Sequence, residues 1–194
     1  NIECCNLTKN FNDFVAVDQL TLKIHAGELY AFLGPNGAGK TTTIRMLAGL
    51  VKPTSGQIII CGEDLARDTA EVKKWTGFIP DQPYLYEKLT AREFIDIMGQ
   101  LYGMDRALIR DQSHRLFQEF DLMRIQNQLI ESLSHGMKRR LIFALAILHR
   151  PKILLIDEPM VGLDPKSTRK FKDKLKHLCQ EGMTVFLSTH SLSV

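Results

Sequence analysis

Alternation of apolar and polar residues opens the chain and soon recurs, which predicts β-strands over residues 2–7 and 20–24. The continuous apolar run at 29–34 (LYAFLG) predicts a buried strand that leads into a glycine-rich loop. Over 40–50 the apolar residues repeat with helical spacing, and a glycine marks the end of this helix. Two more strands are predicted, over residues 57–62 and within 75–83.

The middle of the chain has a different pattern, because no β-rich run occurs between residues 90 and 128. Apolar residues there follow the i, i+3, i+4, i+7 spacing of one buried helix face, and a second helical stretch follows. The block 84–132 is therefore predicted to be a small helical insert. The predicted buried positions are Phe94, Ile97, Met98 and Leu101 in the first helix and Leu116, Phe117 and Phe120 in the second.

The last third returns to alternating helices and strands. Helices are predicted over 134–149 and 167–181, and strands over 153–157 and 184–190. Strands that alternate with helices favour an α/β fold with a mostly parallel sheet covered on both faces. We expect all 194 residues to form one domain, with its core in about 1–83 and 133–194 and the helical insert in about 84–132.

The composition is that of an ordinary globular protein, with 44% hydrophobic residues, 24% charged residues and a net charge of +3. Without a long basic block, so small a charge predicts no nucleic-acid partner. The four cysteines have neither metal-ligand nor disulfide-framework spacing, which favours a reducing compartment, and Cys4 and Cys5 are expected on opposite faces of a strand. The longest apolar run, 141–148, is too short to span a membrane, and no signal peptide is seen, so a membrane role is expected to need another chain or a further segment.

The segment GPNGAGKT (34–41) matches the phosphate-loop pattern G-x-x-x-x-G-K-[ST], between a predicted strand and a predicted helix. Glycines allow the backbone N–H groups to surround phosphate oxygens, and the helix N-terminus adds positive potential. Lys40 is expected to reach the β- and γ-phosphates, Thr41 to bind Mg²⁺, and Thr42 to lie on the α-phosphate side. The predicted cradle comprises Gly34, Pro35, Asn36, Gly37, Ala38, Gly39, Lys40, Thr41 and Thr42.

Two acidic residues end the apolar strand ILLIDEP (153–159). In open α/β sheets, ligands bind beyond the carboxyl ends of the strands, so these carboxylates are expected near the phosphate loop. Asp157 is predicted beside Mg²⁺, through a water, and Glu158 is predicted to polarise the water that attacks the γ-phosphate.

The ordered motifs together resemble those of the ATP-binding subunit of an ATP-binding-cassette (ABC) transporter, over essentially the whole chain. The loop at 34–41 resembles the family's Walker A motif, and 153–159 resembles its Walker B motif. The segment LSHGM (133–137) resembles the signature motif, usually LSGGQ. The order of these motifs, more than any one of them, carries the resemblance.

Four single residues gain an expected role from this resemblance. Gln82 corresponds to a glutamine that contacts Mg²⁺ and the attacking water and senses the transmembrane partner. Phe11 corresponds to an aromatic residue that stacks on adenine, although Phe11 and Phe14 taken alone would more often be core residues. Asp164 lies in the D-loop-like GLDP, and His190 corresponds to a γ-phosphate contact.

The resemblance implies a P-loop NTPase (RecA-like) core with a mostly parallel sheet, an N-terminal antiparallel region and an inserted helical subdomain. It implies ATP and Mg²⁺ as ligands, and a head-to-tail pair of ATP-binding domains whose closure drives a transmembrane permease subunit. Ser134 and Gly136 at the start of a helix supply a second anion site, for the nucleotide of the facing chain. The chain is then expected to be peripheral, on the cytoplasmic side of the cell membrane.

Two features depart from the family pattern. His135 and Met137 replace the first glycine and the glutamine of the signature motif, and the chain ends four residues after His190, so we expect a further C-terminal part. The segment YLYEKLTAREF (84–94) is more similar to bacterial exporter cassettes than to importers. The open alternative is a soluble ABC-type ATPase that acts on nucleic acid or the ribosome. A GTPase would need an N-K-x-D element, which is missing, and a kinase would not explain the signature-like segment.

Overall fold

The computed structural model describes residues 1–159 and 165–190, which form two compact units. One unit contains Asn1–Asp81 and Lys152–Val194, and the other contains Gln82–Pro151. The first unit begins with β1 (Ile2–Phe11), β2 (Phe14–Ile24), β3 (Leu29–Leu33), α1 (Lys40–Leu47), β4 (Ser55–Ile60), β5 (Glu63–Asp64), α2 (Thr69–Lys74) and β6 (Thr76–Ile79). The second unit contains α3 (Ala91–Leu101), α4 (Arg106–Glu119) and α5 (His135–Ile147), and the first unit resumes with β7 (Ile153–Asp157), α6 (Pro165–Gln180) and β8 (Thr184–Thr189).

A parallel sheet with strand order β3-β8-β7-β6 positions the candidate site. Its strands all run in the same direction, so their carboxyl ends lie together at one end of the sheet. The glycine-rich loop follows β3 there, the two acidic residues lie at the end of β7, and His190 follows β8. The predicted parallel sheet is confirmed.

An antiparallel sheet with strand order β2-β1-β4-β5 forms the other layer of this unit, as the resemblance implied. β1 and β2 are longer than the sequence pattern predicted, because irregular pairing interrupts their alternation. Asn6 and Gln19 mark the irregular positions with φ of +47° and +45°. Both sheets and α1 share one apolar core, which includes Ile2, Leu7, Ile24, Ile44, Leu47, Ile153, Leu155 and Phe186.

The adjacent cysteines lie on opposite faces of β1, as predicted. Cys4 is buried and Cys5 is exposed, and both are free thiols. Burial raises the pKa of the Cys4 thiol to about 12, because the apolar core disfavours the thiolate.

The strand at 29–34 was predicted to be buried, and this is wrong. Four residues of β3 are half-buried and Leu33 is exposed. The reason is position: within the described part of the chain, β3 pairs only with β8 and lies at the edge of the parallel sheet. An apolar run therefore identified the strand but not its place in the sheet.

The helical unit contains the predicted helices with well-formed N-termini. Thr90 and Glu93 form a reciprocal capping box at the start of α3, and Asp105 caps α4 through the backbone N–H of Leu108. Ser134 caps α5 by accepting from the backbone N–H of Met137 at 3.3 Å.

The predicted buried face of α3 is only partly correct. Phe94 is buried, but Ile97 and Leu101 are 42% and 75% exposed. The buried face is shifted toward Gly99, where an added Cβ would lie 2.6 Å from a side-chain carbon of Ile109 in α4. The close approach of α4 at this glycine, rather than the apolar period, sets which face is buried. In the described ranges, 1–159 and 165–190, no helix is both long enough and apolar enough to be a membrane span.

Candidate nucleotide-binding site

The glycine-rich loop connects the end of β3 to the first turn of α1. The Gly34 N–H donates to the backbone oxygen of Thr189 at 3.3 Å and thereby attaches the loop to the end of β8. Gly39 has φ of +83°, and a Cβ at this position would lie 2.3 Å from the backbone oxygen of Ala16. Glycine is thus required here by both conformation and space. Residues 35–38 are exposed, so a ligand can reach the loop from solvent.

Lys40 is the buried cation of the site, with 6% of its side chain exposed. Its Nζ donates to the backbone oxygens of Gly34 at 2.8 Å and Pro35 at 3.0 Å. It also lies 3.6 Å from Oε1 of Glu158. The ammonium is therefore held within the loop, next to the carboxyl ends of the strands.

Asp157 is buried at the end of β7 and accepts two hydroxyl hydrogen bonds on one oxygen. Thr41 Oγ1 donates to Asp157 Oδ1 at 3.3 Å, and Ser188 Oγ donates to the same oxygen at 2.5 Å. The first contact joins the start of α1 to β7, and the second joins β8 to β7. The predicted proximity of Thr41 and Asp157 is therefore present in the structure.

Glu158 follows Asp157 in a left-handed backbone conformation, with φ of +50°. Its N–H lies 3.2 Å from both the backbone oxygen and the hydroxyl oxygen of Ser188. Its carboxylate is placed between two partners, since Oε1 faces Lys40 and Oε2 lies 2.9 Å from Nδ1 of His190. Asn6 and Gln19 share this conformation outside the site. The placement of the Glu158 carboxylate beside Lys40 and His190, and not the backbone angle alone, therefore marks Glu158.

The oxygen atoms of Thr41 and Asp157 suit a hard divalent cation. Mg²⁺ prefers oxygen ligands and usually takes one or two carboxylates, keeping waters and substrate phosphates as its other ligands. Within residues 1–159 and 165–190, no group of three or more His, Cys, Asp and Glu side chains could hold a metal ion. The donors fit a cation that is shared with phosphate better than one that the protein alone coordinates.

Phe11 lies at the end of β1, opposite Phe14 across the hairpin turn. Its side chain is 47% exposed, and the ammonium of Lys9 lies 4.9 Å from the ring centre. The sequence alone had left burial in the core as the alternative for both phenylalanines. The exposed ring is instead accessible to a planar ligand.

The remaining predicted site residues are divided between the two units. Ser134, Gly136 and Gln82 are exposed residues of the helical unit. At Gly136, an added Cβ would meet none of the described atoms within 4 Å, apart from the neighbouring backbone of its own helix. Thr42 is half-buried in the first turn of α1, and Asp164 lies outside the described residues.

Ser188 is the site residue that sequence reasoning did not single out. It is fully buried on β8, beside Asp157 on β7 in the parallel register. His190, two residues later, was given a role from the sequence, whereas this serine was not. A serine directly after the apolar residues 185–187 was the available signal, since buried hydroxyls need hydrogen-bond partners.

A parallel sheet that carries a glycine-rich loop, a buried lysine and paired acidic residues at its carboxyl edge defines a phosphate-loop NTPase. The chain belongs to the ABC transporter family, whose family model matches residues 17–161. It is an ATP-binding cassette of that family, as the sequence motifs indicated.

Relatives and solved structures agree with this assignment. The chain is 40% identical to the bacitracin transport ATP-binding protein BcrA of Bacillus licheniformis. The alignment extends over 193 residues and covers 99% of this chain and 62% of BcrA. It is 41% identical over 187 residues to the SkfA peptide export ATP-binding protein SkfE of Bacillus subtilis (strain 168), covering 96% of this chain and 77% of SkfE.

Among solved structures, the dimeric post-hydrolysis state of the ATP-binding cassette MJ0796, bound to ADP and Pi, matches with a TM-score of 0.88 and 27% identity, over 99% of this chain and 89% of that chain. The chain spans 62% of the length of BcrA and 77% of SkfE, but only 33% of another relative, the probable multidrug ABC transporter ATP-binding protein YbhF of Escherichia coli (strain K12), to which it is 35% identical.

Proposed function

We propose that this chain binds and hydrolyses ATP, and that this drives export of a substrate through a separate transmembrane subunit. The observation that carries the proposal is the convergence of Lys40, Glu158 and His190, with Thr41 and Asp157 beside them. The names of two relatives, a bacitracin transport protein and a peptide export protein, support transport and its outward direction.

The triphosphate would occupy the loop at 34–41, where Lys40 exchanges its bonds with two backbone oxygens for bonds to the β- and γ-phosphates. Water then attacks the γ-phosphorus, and the bond from this phosphorus to the β,γ-bridging oxygen breaks. Glu158 accepts the proton of the attacking water, and ADP leaves with the bridging oxygen. Lys40 offsets charge on the phosphates, and His190 contacts the γ-phosphate.

Mg²⁺ would be held by the Thr41 hydroxyl and, through a water, by Asp157, and when bound it neutralises charge on the phosphates. Gln82 is proposed as a further ligand of this shell, as the family resemblance implies. Ser188 and Thr41 both donate to Asp157, so these hydroxyls orient the carboxylate for its task.

The adenine base would stack on Phe11, whose ring is accessible at the hairpin end. The Lys9 ammonium near the same ring orients it through a cation–π contact. Stacking does not read the hydrogen-bonding edge of the base, so this contact supplies affinity rather than selectivity among purines.

A second copy of an ATP-binding domain would complete each site. The start of α5 presents the Ser134 hydroxyl and free helix N–H groups to solvent, which suits a phosphate of the facing chain. The open space at Gly136 leaves room for that ligand. The dimeric state of the solved cassette MJ0796 supports this pairing, in which Asp164 is proposed to take part.

The transmembrane subunit is proposed to dock beside Gln82, on the segment 83–89 of the helical unit. Tyr84 is 81% exposed and Tyr86 is 57% exposed, although Tyr86 also contacts Phe94 edge-on. Two exposed aromatic rings on one loop are typical of an interface. The chain would then be peripheral, on the cytoplasmic side of the cell membrane.

Copurification and ATPase assays test this function together. The protein, expressed from its native locus with an affinity tag, is expected to copurify with an integral membrane protein from detergent extracts. The purified protein is expected to release phosphate from ATP. ATP turnover with a ribosome or nucleic acid as the only retained partner would instead support a soluble ATPase, and absence of ATP binding would refute the proposal.

A further inference from the structure

The Ser188 hydroxyl contacts both acidic residues of the site. Its hydrogen is donated to Asp157 Oδ1 at 2.5 Å, and its oxygen lies 3.2 Å from the backbone N–H of Glu158. One fully buried hydroxyl therefore connects the side chain of one carboxylate residue to the backbone of the next.

The contact to Asp157 has the length of a strong hydrogen bond. Hydroxyl-to-carboxylate bonds of 2.5–2.7 Å are among the charge-assisted bonds, which are about twice as strong as neutral ones. The competing donor, Thr41, lies at 3.3 Å from the same oxygen, so Ser188 is the closer constraint on this carboxylate. Because β7 and β8 pair in register at Asp157 and Ser188, the sheet itself fixes the geometry.

The contact to Glu158 bears on its backbone conformation. Glu158 has φ of +50°, which is strained for a residue with a side chain. Ser188 supplies two acceptors to the Glu158 N–H, its own backbone oxygen and its hydroxyl, and this N–H lies immediately before the strained torsion angle. The same conformation directs the Glu158 carboxylate toward Lys40 and His190.

We propose that Ser188 is a positioning residue for ATP hydrolysis, which orients the Asp157 carboxylate toward the cation and holds the Glu158 backbone so that its carboxylate meets the attacking water. This inference rests on the proposed ATPase function. Ser188 touches neither nucleotide nor water in this role and acts only through the two acidic residues. Substitution of Ser188 is therefore expected to affect turnover, and the part of nucleotide affinity that depends on Mg²⁺, more than it affects the stability of the fold.

The test compares Ser188→Ala with Ser188→Thr, which keeps a hydroxyl, and with Thr184→Val as a matched control. Thr184 is also fully buried on β8, but its hydroxyl accepts from the Gly27 N–H at 3.2 Å. It lies about 13 Å along the strand from Ser188, since a strand rises about 3.3 Å per residue. Each variant is measured for kcat and KM, for binding of a fluorescent ATP analogue with Mg²⁺ and with EDTA, and for Tm.

Ser188→Ala is expected to cause a loss of about 10- to 100-fold in at least one of two quantities, as is usual for residues that orient metal ligands. The first is kcat, and the second is the increase in nucleotide affinity that Mg²⁺ produces. Affinity in EDTA is expected to stay within about twofold, because the phosphate loop is unchanged. Ser188→Thr is expected to recover most of both losses, and Thr184→Val to leave both readouts at wild-type values even if its Tm falls. If Ser188→Thr fails to fold, Ser188→Cys, which keeps the volume with a weaker donor, is expected to give intermediate values.

Wild-type kcat and wild-type Mg²⁺ dependence in Ser188→Ala would overturn the inference. An equal loss of kcat or of Mg²⁺ dependence in Thr184→Val would also overturn it, since Ser188 would then only stabilise the strand. Failure of the proposed ATPase function gives a different result: the wild-type protein itself would then show no phosphate release and the same nucleotide binding as Lys40→Ala.

Discussion

The Lys40 ammonium lies 3.6 Å from the Glu158 carboxylate, and both side chains are largely buried. This ion pair links the residue proposed to bind the phosphates with the residue proposed to activate water. The Lys40 ammonium also donates hydrogen bonds to two backbone oxygens of the loop. It can replace these bonds with bonds to phosphate, and it keeps hydrogen-bond partners both before and after the ligand binds. A buried charge that loses its partner is strongly destabilising, which couples the behaviour of the two residues.

Lys40→Met is expected to weaken ATP binding about 10- to 100-fold, because charged hydrogen bonds contribute about 1.5–3 kcal/mol each. Isothermal titration calorimetry with ATP and Mg²⁺ measures this directly. Lys52→Met, at an exposed lysine of the same unit, serves as the control and should bind ATP as the wild type does. Equal affinities of the two variants would contradict the role given to Lys40.

Gly39→Ala is expected to destabilise the protein much more than Gly37→Ala does. Both glycines have a positive φ, +83° and +82°, so both variants carry a strain of about 1–2 kcal/mol. Only at Gly39 would the new Cβ also meet the backbone of β2, at 2.3 Å from the Ala16 oxygen, whereas none of the atoms described lies within 4 Å at Gly37. Urea unfolding without nucleotide measures both, and similar losses in the two variants would show that the contact at Ala16 is not present.

Local patterns predicted the site better than they predicted the burial of single faces. Asp157 and Glu158 could be placed because an apolar run that ends in acids identifies a parallel strand and its carboxyl end, and β7 has the predicted bounds of 153–157. The hydroxyl of Ser188 within a strand was visible in the sequence, but its proposed role was not, because that role depends on lying beside Asp157, and strand order is not contained in either segment alone.

The errors have the same origin in long-range packing. The apolar period placed Leu101 in the buried face of α3, but the approach of Ile109 to Gly99 turns a different face inward. No element was predicted over 63–74, where β5 and α2 form. The side chain of Asp68 caps the N-terminus of α2, and Val72 is the buried residue of this helix. Short elements with little apolar periodicity depend on their surroundings more than on their own sequence.

Phe11→Ala is expected to raise the KM for ATP about 5- to 100-fold, because stacking on an aromatic ring contributes about 1–3 kcal/mol per base. Phe11→Trp should retain or improve affinity, since it keeps a stacking surface. Phe14→Ala is the matched control, because Phe14 is exposed on the adjacent strand of the same hairpin. Steady-state kinetics would contradict the stacking role if the two alanine variants had the same KM.

Gly136→Ala separates stability from pairing. Alanine favours a helix over glycine by about 0.5–1 kcal/mol, and none of the described atoms beyond the neighbouring helix backbone lies within 4 Å of the new Cβ, so the free energy of unfolding should not fall. Pairing in the presence of ATP should nevertheless weaken, because the methyl group enters the space proposed for the facing chain's triphosphate. Light scattering with ATP measures the pair, and unchanged pairing would contradict a phosphate site at the start of α5.

The most direct test of the central claim is the rate of phosphate release by Glu158→Gln, with Glu63→Gln, an exposed glutamate of the same unit, as the control. A general base contributes about 10²–10⁴-fold to a rate, so turnover should fall by about 100-fold or more. ATP should still bind, and the variant should accumulate as an ATP-bound pair, whereas Glu63→Gln should hydrolyse ATP at the wild-type rate. Near-normal hydrolysis by Glu158→Gln would contradict the assignment of Glu158 as the base and, with it, the mechanism proposed for this site.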